Sequence, residues 1–355
     1  MIRMRILIPL IGLAVTLAGC ELGPKVTQQN GFRGTGMNQI QTASYLAKVQ
    51  AANGIPAPPY ALETREGPLA TSQYENVQVL NDLSADEFNR LMASITEWVA
   101  PPEQGCNYCH NPENMASDEV YQKGVARRMI QMTRNINTNW KSHVQETGVT
   151  CWTCHRGKGV PDYKWAASTP EPRQLKGNRR GQNAPNPDTA YASLPGNIFQ
   201  PYLLEAANVR VASKTQYGLG AAVPIQNAEF TYGLMNHFSK SLGVNCTYCH
   251  NTNNFASWEQ STPARSKSWY AIRMVREANK DYIQPLAPVF PASGKGPMGD
   301  PWKVNCLTCH QGANKPMGGV SMLPDHPSMA GPRKGYTVPS GPVASMMPMP
   351  PRSGG

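Results

Sequence analysis

The chain has 355 residues, 40% of them hydrophobic, with 31 glycines, 32 prolines and a formal net charge of +10. That length admits two domains, but side chains of this composition build only a thin core, so apolar material other than side chains has to fill the interior. The positive charge would suit nucleic acid, yet the N-terminus removes the chain from that partner.

The first twenty residues, MIRMRILIPLIGLAVTLAGC, carry arginines at 3 and 5, an apolar stretch from Ile6 to Leu17 and small residues before Cys20. They read as an export signal over 1–19 that ends in a bacterial lipoprotein site, with Cys20 acylated. An uncleaved apolar anchor is the alternative, although the run is short for spanning a bilayer. Either way the chain is held at a membrane, and nucleic acid is excluded. Residues 20–70 follow as a lipid-anchored, extended N-terminal segment.

The first functional unit occupies 71–160. Ser84-Ala85-Asp86-Glu87 is a capping box, and Phe88, Leu91, Met92, Ile95, Trp98 and Val99 follow at helical spacing until Pro101-Pro102 stop the run. Residues 106–110 then read CNYCH, and the frame recurs as CWTCH at 151, CTYCH at 246 and CLTCH at 306. In such a run two thiols reach the two vinyl groups of one porphyrin and the adjacent histidine lies under its iron. With nine cysteines and seven histidines, chance would place roughly 0.004 such runs in the chain, so coincidence is excluded. Zinc sites and disulfides also use paired cysteines, but they explain neither the histidine after every pair nor the constant spacer. The expected cofactors are four covalently bound c-type haems. They consume Cys106, Cys109, Cys151, Cys154, Cys246, Cys249, Cys306 and Cys309, which leaves only Cys20.

An iron with two protein ligands shuttles electrons, whereas substrate chemistry needs an open position, so sixth ligands decide the class of function. Met92 lies on the buried stripe before the first motif. Residues 119–144 read as one long helix with Tyr121, Val125, Met129, Met132, Ile136, Trp140 and His143 on one broad face. Met129, with Met132 as its rival, lies about 21 Å along the axis from His143, so Met129 and His143 serve different irons. Residues 161–200 form an irregular connection rich in Pro, Gly, Asn and Arg. The second unit spans 201–323, where Phe230, Leu234, Met235, Phe238 and Leu242 form the stripe before CTYCH. His237 is two residues on from Met235, about 200 degrees around the helix, and reads as a surface histidine. CNYCHNPENMAS at 106 matches CTYCHNTNNFAS at 246, and VARRMIQM at 125 matches YAIRMVRE at 270. That self-similarity marks two copies of a two-haem unit, and it offers Met274, counterpart of Met129, to the fourth iron. Residues 324–355 form a Pro/Met/Gly-rich tail, read as a strap or a disordered end. The expected fold is mainly α with extensive irregular loops: a multihaem cytochrome c of two pseudo-repeated dihaem units around four covalently bound haems.

This pattern resembles the tetrahaem cytochrome subunit of purple-bacterial photosynthetic reaction centres. The likeness covers nearly the whole mature chain, through the lipoprotein cysteine, the four motifs and the phrases VARRMIQMTRNINTNWKSHV, GVTCWTCHRG and IRMVRE. It implies methionine as sixth ligand of three haems and histidine of the fourth: Met92 with His110, Met129 with His155, Met235 with His250, and His143 with His310. The last pair crosses between the halves and displaces Met274. It further implies no enzymatic site but an electron-transfer subunit, lipid-anchored on the periplasmic face of the inner photosynthetic membrane. Its partners would be the reaction-centre core subunits carrying the bacteriochlorophyll pair and a soluble donor such as a c-type cytochrome. A multihaem periplasmic reductase, which needs a five-coordinate iron, and a free-standing electron-carrier lipoprotein are the competing classes. Arg127, Arg128, Arg273 and Arg276 are read either as partners of haem propionates or as a solvated basic face. Between 81 and 119 eight acidic residues face one basic residue, Arg90, and this stretch is expected to steer a basic soluble cytochrome toward the first haem.

Overall fold

The computed structural model describes residues 23–31, 36–62, 64–167, 186–209 and 225–335. The export signal, Cys20, the central part of the 161–200 connection and the tail beyond 335 lie outside the described residues.

The described chain opens on strand β1 (Lys25–Gln29), paired antiparallel with β2 (Asn38–Thr42) so that Lys25 stands opposite Thr42. Helix α1 (Ala43–Ala52) starts on Thr42, whose hydroxyl accepts from the Tyr45 N–H. This arm lies on the second half of the chain. The amides of Gln39 and Gln41 both donate to the Gly243 carbonyl, and the Asn38 carbonyl accepts from Asn245 and Thr247. Gly243 has φ +63, and a Cβ there would collide with the Gly312 carbonyl, so only glycine permits this approach.

Helix α2 (Ala85–Val99) begins at the expected capping box: the Ser84 hydroxyl accepts from the Glu87 N–H, and the Glu87 carboxylate accepts from the Ser84 N–H. The first motif follows in a 3-10 turn, Gly105–Tyr108. The long helix expected over 119–144 is two helices, α3 (Tyr121–Asn139) and α4 (Lys141–Val144), because Trp140 leaves helical geometry at φ −114 and ψ 28. The second motif is itself a short helix, α5 (Cys151–His155). Strand β3 (Lys164–Trp165) pairs with β4 (Lys303–Val304), which ties the end of the first half to the approach of the fourth motif. Between them come α6 (Ile225–Leu242), the third motif in a 3-10 turn (Cys246–Tyr248) and α7 (Pro263–Glu277), and after β4 comes α8 (Cys306–His310), the fourth motif. Motifs one and three are thus 3-10 turns, while two and four are five-residue helices. The latter share threonine at N3 and a left-handed residue after the histidine, Arg156 (φ 50) and Gln311 (φ 47).

Among the described residues no single core forms. One cluster gathers Leu83, Leu91, Trp98, Ile130 and Cys151 with Met317, Met322 and Met329 of the C-terminal segment. A second gathers Trp165, Ile198, Phe199, Leu203, Leu234, Ile272 and Met274, and a small third joins Met132 to Ala278 and Ile283. The C-terminal segment crosses back over the first half: Arg134 donates to the Ser328 carbonyl, Asn137 to the Met329 carbonyl, and the Arg333 N–H to the Asp82 carboxylate. Asp82 also holds Arg134 at 2.9 Å in a buried ion pair. Among the described residues no helix is long and apolar enough to cross a membrane.

Candidate haem sites

The first motif opens onto a cavity of about 500 Å³. Met92, Phe88, Ile95 and Val99 of α2 line one side of it, and Cys106, Cys109 and His110 another. That volume is in the range of cofactor pockets. Two thiols, an imidazole and a thioether around an apolar space are the donor set that c-type haem requires. Lys123 and Arg127 also line it, but both pair with Asp118, at 3.1 and 3.0 Å.

Five histidines share one arrangement at Nδ1. In the four motifs Nδ1–H donates to a backbone carbonyl just downstream: His110 to Met115 at 2.9 Å, His155 to Lys158 at 2.8 Å, His250 to Phe255 at 3.2 Å and His310 to Ala313 at 2.9 Å. The acceptor lies five residues on in the 3-10 motifs and three in the helical ones. His143 does the same with the Lys267 carbonyl at 3.2 Å. Such a bond fixes the tautomer and leaves the Nε2 lone pair for a metal. Burial holds His155, His250 and His310 below the ordinary imidazole range. Burial, reinforced by the neighbouring His310, brings His143 down to about 4. All four are therefore neutral at physiological pH, as a ligand must be.

His237 and His326 lie outside the motifs. His237 is 2% exposed, not a surface residue: Phe199 stands edge-on to it at 4.6 Å, and Ser241 Oγ lies 3.1 Å from its Nε2. The cover comes from residues 198–203, which helical periodicity in α6 cannot reveal. His326 is likewise buried, against Trp98 and Arg90.

Of the remaining candidates, Met235 is half-buried beside the second core cluster and Met129 lies at the edge of the third. Met132 and Met274 are core residues, 9% and 8% exposed. The rings of His143 and His310 lie 6.1 Å apart, centre to centre. Two metal–nitrogen bonds of about 2 Å, plus about 1 Å from nitrogen to ring centre on each side, give about the same span.

None of the eight motif cysteines is in a disulfide, and among the described residues no three His, Cys, Asp or Glu side chains converge as a metal cluster would require. Burial pushes the thiols of Cys109 and Cys249 up to about 11, and those of Cys151 and Cys306 to about 12. The sulfurs of Cys154 and Cys309 lie 3.1 Å apart, so the second and fourth motifs are neighbours. The four arginines have protein partners: Arg127 on Asp118, Arg128 on Gln131 and over Tyr282, Arg273 over Trp269, and Arg276 on the Tyr202 carbonyl.

The model of the family described as photosynthetic reaction centre cytochrome c subunit matches residues 22–330. The chain belongs to that family. Among its relatives is the photosynthetic reaction center cytochrome c subunit of Thermochromatium tepidum, 48% identical over 89% of this chain and 78% of that one. Relatives of the same name from Rubrivivax gelatinosus, 48% identical over 92% and 90%, and Roseobacter denitrificans, 41% identical over 92% of each, match as fully. As a member of the reaction-centre cytochrome family the chain is an electron-transfer component, and the covalent attachment of c-type haem is what its Cys-x-x-Cys-His frames provide.

Proposed function

We propose that this chain takes single electrons from a soluble periplasmic carrier and passes them through four c-type haems to the photo-oxidised bacteriochlorophyll pair of the reaction-centre core, tethered by an acylated Cys20. The observation that carries this reading is the set of four motif histidines with Nδ1 tied off, with Met92 across the first cavity and the His143 ring facing that of His310. Haem iron supplies the one-electron chemistry, and thioether ligation holds its potential above that given by a second imidazole. The assignment is Met92 with His110, Met129 with His155, Met235 with His250 and His143 with His310. The core positions of Met132 and Met274 favour Met129 and His143 over them, which makes the His143–His310 site the low-potential member.

The arm supports an orientation. Cys20 precedes Lys25 by five residues, at most about 18 Å of extended chain. The hairpin is bonded to Gly243, Asn245 and Thr247, on the approach to the third motif. The membrane side is then the side of the third motif. Around the first motif, Asp82, Glu87 and Asp118 are taken up by Arg134, by Arg65 and Arg333, and by Lys123 and Arg127. Asp86, Glu97, Glu103, Glu113 and Glu119 remain exposed, a smaller acidic face than the sequence count suggested.

The test is purification from photosynthetic membranes under mild detergent. The chain should bring bacteriochlorophyll with it, and a flash should oxidise its haems as the oxidised pair recovers. A preparation free of bacteriochlorophyll, with stoichiometric carbon monoxide binding at one haem, would overturn the reading in favour of a reductase.

A further inference from the structure

His143 meets His310 because the chain turns at Trp140. The Trp140 N–H closes the last turn of α3 on the Ile136 carbonyl, and the Trp140 carbonyl starts the next turn by accepting from the N–H groups of His143 and Val144. Nothing in this stretch, KSHV after NTNW, forces a break: there is no proline or glycine between Asn135 and Val144. The turn has to be held from outside.

What holds it is helix α7. Its last residue, Glu277, accepts from the Trp140 indole N–H at 3.0 Å through Oε2, and from the Asn135 amide at 2.5 Å through Oε1. One carboxylate therefore spans the final turn of α3 and the pivot beyond it. Ten residues earlier on the same helix, about 15 Å along its axis, the Lys267 carbonyl takes the Nδ1–H of His143. We propose that Trp140 and Glu277 are a positioning pair that holds the turn after α3 and so aims His143 at the fourth iron. This rests on the bis-imidazole reading of that site.

The internal repeat carries an independent sign of this role. VARRMIQM and YAIRMVRE match position by position, and the residue in register with Glu277 is Met132, a core side chain among Ala278 and Ile283. A half-buried carboxylate stands where the first half has an apolar filler. It does so in the half whose equivalent methionine, Met274, is buried in the core rather than set beside His310. A carboxylate suits the task because it accepts from two donors at once, through hydrogen bonds stronger than neutral ones.

The experiment uses the full haem-loaded chain with Trp140→Phe, Glu277→Leu and Glu277→Gln. Trp140→Phe keeps an aromatic ring and removes the donor; Glu277→Gln keeps an acceptor oxygen. The readouts are the low-spin electron paramagnetic resonance of the oxidised protein and carbon monoxide binding by the reduced one. Trp140→Phe and Glu277→Leu should weaken the bis-imidazole signal and raise the carbon monoxide binding rate at one haem of four by ~10-fold, the loss expected for one charge-assisted hydrogen bond. Glu277→Gln, which keeps one of the two acceptor oxygens, should give a signal between those of the wild type and Glu277→Leu. A wild-type spectrum without a bis-imidazole component would sink the ligand reading itself. A wild-type component that persists unchanged in Trp140→Phe and Glu277→Leu, with carbon monoxide still excluded, would sink the positioning role alone. If Glu277→Leu does not accumulate, Trp140→Phe, which preserves the packing, decides by the same two readouts.

Discussion

His326 lies outside the four Cys-x-x-Cys-His frames. Its ring is 3% exposed, stands edge-on to Trp98 at 4.6 Å and lies beside Arg90. Burial, with the Arg90 charge adding to it and Asp325 opposing, lowers its pKa from 6.5 to about 4. The unfolded chain thus takes up this proton before the folded one does. Stability is complete above pH 6.5 and falls as pH drops toward 4, by up to about 1.4 kcal/mol per pH unit and about 3 kcal/mol in all. Denaturant unfolding at pH 7, 5.5 and 4.5 should show this slope in the wild type and a shallower one in His326→Phe; parallel slopes would assign the acid sensitivity elsewhere. Residues such as this mark the edge of what the sequence discloses. The motif histidines are legible because two cysteines of the same ligand set stand within five residues of them. His143 and His310 are 167 residues apart, so periodicity could say only that His143 and Met129 serve different irons, and the pairing needed the family likeness. His237 was misread for the same reason, since its cover arrives from a distant loop.

At the scale of elements, α2 was readable from end to end because its signals are local: a capping box, an apolar stripe and two prolines. The break between α3 and α4 was not, because its cause is a carboxylate on another helix while the apolar stripe runs through Trp140 without a pause. The C-terminal crossing was legible only as one of two alternatives, a strap or a disordered end. It depends on Asp82, which receives both Arg134 and the Arg333 N–H in a site where its side chain is fully buried. Removing that carboxylate leaves the Arg134 guanidinium buried without a counter-charge. Asp82→Ala should therefore cost about 3–5 kcal/mol, and limited proteolysis should cut the released segment around 325–333 first. A variant with unchanged stability and an uncut C-terminal segment would show that the crossing is held by Met317, Met322 and Met329 instead.

Taken whole, the molecule carries +10 yet presents five exposed carboxylates around its first motif. Charges at the surface act over about a Debye length, ~10 Å at 0.1 M salt. A basic soluble cytochrome should reduce the chain with an on-rate that falls at least about tenfold between low and physiological salt. Glu103→Lys with Glu113→Lys should slow it further at low salt and flatten the dependence. A rate indifferent to salt in stopped-flow measurements would point to apolar docking. Among the contacts that join the halves is the meeting of the sulfurs of Cys154 and Cys309. On the proposed four-haem reading each of those sulfurs would join a different porphyrin. Were the halves to close first, two free thiols would meet in an exported, oxidising compartment, where disulfides form and persist. The bridge would take one anchor from each of two porphyrins. On the four-haem reading, biosynthesis would therefore follow a fixed order, in which both sulfurs are committed before the halves meet and closure comes last.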